Sequence, residues 1–130
     1  MRILIADDHE LMRKGISALF ENRADFEVLE ASNGAEAVQR VVDDKPDLVI
    51  LDVSMPVMDG FSAARQIKRI DPNILIVILT LQKTETFATI AEKIGIDGYL
   101  TKNIDGSVLR AAVDSVIEAS KKRGGSALQP

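Results

Sequence analysis

Residues 47–60 read DLVILDVSMPVMDG, and Leu48, Val49, Ile50 and Leu51 follow one another without a polar break. A strand with one wet face alternates apolar and polar residues, so an unbroken run points to a strand covered on both faces. Asp52 comes directly after that run. A carboxylate left unpaired beside a core is strongly disfavoured, so its place there needs a reason.

Four more short runs accompany it: ILIA (3–6), FEVLEA (26–31), ILIVIL (74–79) and GYL (98–100). Helical periodicity fills the gaps between them. Leu11/Met12, Gly15/Ile16 and Leu19/Phe20 form one stripe, and Ala35, Val38 and Val41/Val42 a second. Phe61, Ala64 and Ile67 form a third; Phe87, Ile90/Ala91 and Ile94 a fourth; Leu109, Ala112/Val113 and Val116/Ile117 a fifth. Turn residues fall between elements, at Asn33-Gly34, Lys45-Pro46-Asp47, Asp71-Pro72-Asn73 and Gly95. Five alternations of strand and helix predict an α/β fold, a (βα)₅ doubly wound parallel sheet. FEVLEA alternates, as an edge strand does, which suits the flavodoxin-like strand order 2-1-3-4-5 with its switch point between strands 1 and 3.

At 130 residues the chain is the size of one domain. A net charge of −4 argues against this chain itself gripping a nucleic-acid backbone, which takes a basic face. With no cysteine there is neither a disulfide nor a thiolate zinc site. The opening MRILIADD reaches two acids after four apolar residues and does not resemble a signal peptide. Ile74 to Leu79 is too short to cross a bilayer, so a soluble, cytoplasmic chain without membrane attachment is expected. Residues 121–130, KKRGGSALQP, lose the periodicity and read as a linker-like tail after a domain spanning residues 1–120.

Ligands of open α/β sheets bind beyond the carboxyl ends of the strands. Those ends carry Asp7 and Asp8, Asp52, Thr80 and Lys102. Three neighbouring carboxylates repel one another, and Mg²⁺ relieves the repulsion through oxygen ligands while leaving positions for phosphate oxygens. A mobile Lys102 ammonium and the Thr80 hydroxyl suit a phosphoryl group, and Asp52 suits the nucleophile that becomes an aspartyl phosphate. Singly, each residue has a plainer role: Asp7 and Asp8 as helix caps, Thr80 as a strand end, Lys102 as a solvated loop charge. Together they make a site. Because Thr80 and Lys102 lie past the core, replacing either is expected to cost little folding stability. His9, the only histidine, reads as a first-turn residue and not a ligand, since Mg²⁺ prefers oxygen. Met55 and Met58 read as loop packing.

At LIADDHE, LVILDVSMPVMDG, IVILT and GYLTK the chain resembles a response-regulator receiver domain of bacterial two-component signalling. The resemblance implies that Asp52 accepts phosphate from a sensor histidine kinase, with Mg²⁺ bound by Asp8, Asp52 and the backbone carbonyl of Ser54 and supported by Asp7. It implies that Lys102 contacts the phosphoryl group, that Thr80 moves to bond it, and that Tyr99 swings inward on activation. Pro56 and Gly60 would shape the loop after Asp52. ADDHELMRKG and GYLTK resemble receivers of the LuxR/FixJ (NarL-like) class, which implies a DNA-binding output through a further C-terminal domain and homodimerisation on phosphorylation.

Several positions depart from the family pattern. Asn103 follows Lys102 where many members have proline, leaving cis or trans open. Leu81 replaces a small residue after Thr80 and is expected to narrow access to Asp52. Ser54 and Gln82 hold the positions that tune phosphate hydrolysis in the family. Other readings fit less well. A haloacid-dehalogenase-type phosphatase has a second acid where Ser54 stands, and a flavodoxin-type flavin carrier lacks its hydroxyl-rich loop and ring-sandwiching aromatics here. A stand-alone receiver acting in a phosphorelay or on a protein target remains the alternative to a transcription factor.

Overall fold

The computed structural model describes the backbone of residues 1–128 and the side chains of residues 1–123. Five strands and five helices alternate along it: β1 (Arg2–Ala6), α1 (Glu10–Glu21), β2 (Glu27–Ala31), α2 (Gly34–Asp44), β3 (Leu48–Asp52), α3 (Gly60–Ile70), β4 (Leu75–Thr80), α4 (Glu85–Ile94), β5 (Gly98–Thr101) and α5 (Gly106–Leu128). All strand pairs are parallel, in the order β2-β1-β3-β4-β5. The predicted topology is the observed one.

Side-chain alternation along the inner strands explains why they read as continuous apolar runs. Leu4, Val49, Leu51, Ile76 and Ile78 point to the face covered by Phe61, Ala64 and Ile67 of α3 and by residues of α2 and α4. Ile3, Ile5, Leu48, Ile50, Val77 and Leu79 point to the other face, against Ile16 and Phe20 of α1 and Val113 of α5. Every residue of β3 and β4 is therefore buried, while the edge strands β2 and β5 are half-buried. Each inner strand serves two cores at once.

Helix starts follow local chemistry. Asn33, Asp59 and Thr84 accept the backbone N–H of Glu36, Ser62 and Phe87 respectively, satisfying donors that the first turn leaves free. Gly95 closes α4 in the left-handed region at φ 85°.

One expectation changes here. The stripe of α1 is rotated from the one read in sequence: Ile16, Ser17 and Phe20 are buried, and Leu11 is 89% exposed. Val42 of α2 is likewise half in solvent. In both cases neighbouring apolar residues offered two adjacent faces, and only contact with the sheet chose between them. The stretch 121–128, read as linker-like, lies within α5, while residues 129 and 130 fall outside the described residues.

Candidate functional site

Parallel strands deliver their carboxyl ends to one edge of the sheet, and the ladder aligns those ends. The Asp7 N–H donates to Ala31 O (3.1 Å), Val53 N–H to Leu79 O (3.0 Å) and Lys102 N–H to Thr80 O (2.8 Å). Each bond fixes the backbone at or beside a candidate site residue. The loop after Asp52 is tied down as well: Gly60 N–H donates to Val53 O (2.9 Å) and Gly34 N–H to Met58 O (3.1 Å). A Cβ on Gly60 would stand 2.1 Å from the Asp52 carbonyl oxygen, so only glycine lets the start of α3 pass this close. Met55 is buried in the core on the α2–α4 side and Met58 is partly buried against that core, as read from sequence.

Asp7, Asp52 and Thr80 are almost wholly buried, at 1%, 4% and 4% exposure. Lys102 is not the mobile loop charge that its position suggested. Its side chain is 5% exposed, with Nζ 3.0 Å from Asp7 Oδ2 and 3.3 Å from Asp52 Oδ2. Two of the three carboxylates thus share one cation, which is how they coexist. Asp7 Oδ1 accepts the His9 N–H at 2.9 Å. Oδ2 has only the charge contact, since no hydrogen bond of acceptable direction reaches it among the described residues. Asp8 is exposed at the rim.

Burial raises the Asp52 carboxyl above the ordinary carboxylate range, and the Asp7 charge pushes the same way against the pull of Lys102. For Lys102, burial works to lower the ammonium, but the close contact with Asp7 and the charges of Asp52 and Asp7 outweigh it and hold the group above its ordinary value. The pocket therefore sets a buried carboxyl group beside a firmly held positive charge.

The cavity in front of Asp52 measures about 400 Å³. His9, Ser54, Thr80, Gln82 and Lys102 give it polar walls, and Leu81 and Phe87 its apolar ones. Leu81 is 74% exposed and stands in the wall of the cavity that contains Asp52. The Thr80 hydroxyl donates to the Gln82 carbonyl (3.0 Å), and the Ser54 N–H reaches Asp52 Oδ1 at 3.4 Å. The Lys102–Asn103 peptide is trans.

Tyr99 sits apart from the cavity, its ring packed on the face covered by α2, α3 and α4, with Lys83 Nζ 5.0 Å from the ring centre. Its hydroxyl is buried without a hydrogen-bond partner among the described residues. His9, set aside in sequence, joins the cluster: one donor atom each from Asp7, Asp8, His9 and Asp52 lies within 4.8 Å of all the others. The signal was present in DDHE, but adjacency along the chain says little about where an imidazole turns.

Residues 3–114 match the response regulator receiver domain family. The chain is 31% identical over 131 residues to the transcriptional regulatory protein DegU of Brevibacillus brevis, covering 100% of this chain and 53% of that protein. It is 34% identical to the response regulator protein VraR of Staphylococcus saprophyticus, covering 92% and 60%. To the oxygen regulatory protein NreC of Staphylococcus epidermidis it is 38% identical, covering 91% and 55%. The chain thus spans little more than half the length of these relatives. Among solved structures, a LuxR-family two-component response regulator from Aurantimonas superposes with a TM-score of 0.84 at 33% identity, covering 91% of this chain and 85% of that one. A CheY-like receiver from Methanospirillum hungatei shares the fold at TM-score 0.89 and 20% identity, covering 95% and 98%. No helix among the described residues is long and apolar enough to cross a membrane.

Proposed function

We propose that this chain, which belongs to the response regulator receiver domain family, takes a phosphoryl group from the phosphohistidine of a sensor histidine kinase onto Asp52. The observation that carries the reading is the buried Asp7–Lys102–Asp52 arrangement opening on the cavity. In the transfer, an Asp52 carboxylate oxygen attacks phosphorus, a P–O bond forms, the P–N bond breaks and the imidazole regains its electron pair. Lys102 Nζ stands where it meets the phosphoryl oxygens, adding a fixed positive charge without further reorganisation.

The donor set fits Mg²⁺: carboxylate oxygens from Asp7, Asp8 and Asp52 lie together, and Asp7 Oδ2 is a buried acceptor without a hydrogen bond among the described residues. Asp7, Asp8, Asp52 and the Ser54 carbonyl would hold the ion, which supplies charge neutralisation to the incoming phosphoryl group.

Thr80 can bond a phosphoryl oxygen only by giving up the Gln82 carbonyl. That exchange frees the loop leading into α4, and Tyr99, packed under the same helix, is placed to respond. Decay of the phosphate is attack by water on phosphorus with the Asp52 oxygen leaving, and Ser54 and Gln82 border the cavity from which that water comes. Supporting an output beyond this chain is the greater length of its relatives, two of them named as transcriptional or response regulators. We read residues 121–130 as leading to a LuxR-type DNA-binding domain, with phosphorylation driving homodimerisation.

The test is intact-mass spectrometry after treatment with acetyl phosphate. One phosphoryl adduct should form with Mg²⁺ present, fail to form with chelator, and vanish in Asp52→Asn. Persistent labelling of that variant overturns the assignment.

A further inference from the structure

Asp7 stands one residue beyond the end of β1, where the strand ladder gives out. Its N–H still reaches Ala31 O on β2, but its carbonyl takes a hydrogen bond from a side chain, the Arg13 guanidinium of α1, with Nη1 2.8 Å away. The same guanidinium donates through Nε to Glu30 Oε1 at 2.8 Å, and Lys14 Nζ lies 3.0 Å from the other Glu30 oxygen. The side chains of Arg13 and Glu30 are 14% and 22% exposed, so this is not a loose surface pair. Burial works to raise the Glu30 carboxyl, but the bonds from Lys14 and Arg13 outweigh it and hold the group below the ordinary carboxylate range. Glu30 is therefore a charged anchor for the guanidinium at neutral pH.

The clamp acts on the backbone that aims the Asp7 carboxylate. Glu30 and Ala31 end β2 beside Ile5 and Ala6. Both backbone groups of Asp7 are thus tied to the end of β2, the N–H directly and the carbonyl through Arg13. Pinning the two peptides that flank one Cα fixes the direction of its Cα–Cβ bond. That direction sets Asp7 Oδ2 3.0 Å from Lys102 Nζ and lets Oδ1 accept the His9 N–H at 2.9 Å. A guanidinium is a rigid planar fork that makes both bonds from neighbouring nitrogens, whereas a lysine ammonium is a single point of charge.

We propose that Arg13 is a positioning residue for phosphoryl transfer to Asp52: anchored on Glu30, its guanidinium holds the Asp7 turn so that the Asp7 carboxylate meets Lys102. Arg13 does not line the cavity in front of Asp52, so it acts through Asp7. The proposal rests on the reading of Asp52 as a phosphoryl acceptor and adds to it a residue outside the pocket that sets its geometry.

Two measurements test it in the wild type, Arg13→Met, Arg13→Lys and Arg13→Met/Glu30→Ala: the rate of labelling by acetyl phosphate with Mg²⁺, read by intact mass, and backbone ¹⁵N relaxation without a phosphoryl donor. Val113→Ala, a truncation in the core on α5, controls for lost stability alone. Arg13→Met and Arg13→Lys should each slow labelling by about 10- to 100-fold, as a misplaced group beside the reacting atoms does. Val113→Ala should stay within about 3-fold of the wild type. Adding Glu30→Ala to Arg13→Met should slow labelling by no more than about 2-fold further, because Glu30 acts only through Arg13. Order parameters of the Asp8 and His9 amides, about 0.85 in the wild type, should fall below about 0.6 in both Arg13 variants and stay high in Val113→Ala. Should Arg13→Met fail to fold, Arg13→Lys, which keeps the charge beside Glu30, carries the same comparison. Wild-type labelling by an Arg13 variant, equal slowing in Val113→Ala, or losses that add in full in the double variant overturns the proposal. Should the wild type take no phosphoryl group on Asp52, the reading of the site fails by that result. The order parameters then decide whether Arg13 holds the Asp7 turn, and unchanged values overturn it.

Discussion

Replacing Lys102 by methionine keeps the apolar stem and deletes the charge that lies 3.0 Å from Asp7 and 3.3 Å from Asp52. At an effective dielectric of about 20, each contact attracts by about 5 kcal/mol. Asp7 and Asp52, with ligand oxygens within 4.8 Å of each other, repel by about 3.5 kcal/mol on the same scale. Burying an ammonium costs several kcal/mol, and methionine is spared that cost, so the net loss is smaller than the attractions lost: about 3 kcal/mol at pH 7 without divalent ions. A urea midpoint lower by about 1 to 2 M is expected. The pH dependence carries a definite sign. Asp52 is already raised in the folded state, and removing Lys102 raises it further. A raised carboxylate favours the folded state below its unfolded value, and that advantage is lost as pH rises through the folded value. The deficit of the variant should therefore shrink as pH falls from 7 towards the ordinary carboxylate range. Asp52→Asn placed on Lys102→Met should restore stability at pH 7 by removing one of the two unpaired acids. Urea denaturation in chelator at several pH values measures all of this. A variant within about 0.5 kcal/mol of the wild type at pH 7, the range of an ordinary surface change, would refute the reasoning.

Gly60→Ala drives a Cβ against the Asp52 carbonyl oxygen, where backbone faces backbone, and should cost about 2 to 4 kcal/mol and slow phosphorylation of Asp52; wild-type stability in denaturant would contradict the clash. Tyr99→Phe removes a buried hydroxyl with no partner among the described residues and should stabilise the domain by about 1 kcal/mol, so a lower thermal midpoint would show that the hydroxyl is satisfied. Gln82→Ala should lengthen the half-life of the aspartyl phosphate by about 3- to 30-fold, the loss of roughly 0.7 to 2 kcal/mol of transition-state stabilisation. An unchanged half-life would remove Gln82 from hydrolysis.

The fold was legible because its signal is local. A run such as LVIL or ILIVIL states that both faces of a strand are covered, and FEVLEA, with one wet face, states that it lies at an edge. In a parallel sheet those facts also place each strand's last residue, so Asp7, Asp52, Thr80 and Lys102 could be assigned to one edge from position alone.

What the sequence alone determined, then, was topology and which residues end the strands at one edge of the sheet, because both follow from periodicity and direction along a single chain. Partnership was decided by tertiary structure. Lys102 follows β5, two strands from Asp52 and three from Asp7, and its four-carbon stem crosses the end of β4 to reach them. Nothing in GYLTK records that reach, so a lysine beyond a strand reads as solvated and dispensable for folding, whereas in the fold it is the buried counterion of two acids. The choice of Ile16 and Phe20 over Leu11 and the turn of His9 towards Asp8 were settled the same way. A side chain's neighbours across the sheet lie at no fixed spacing in sequence, and only their approach in three dimensions fixes its charge environment.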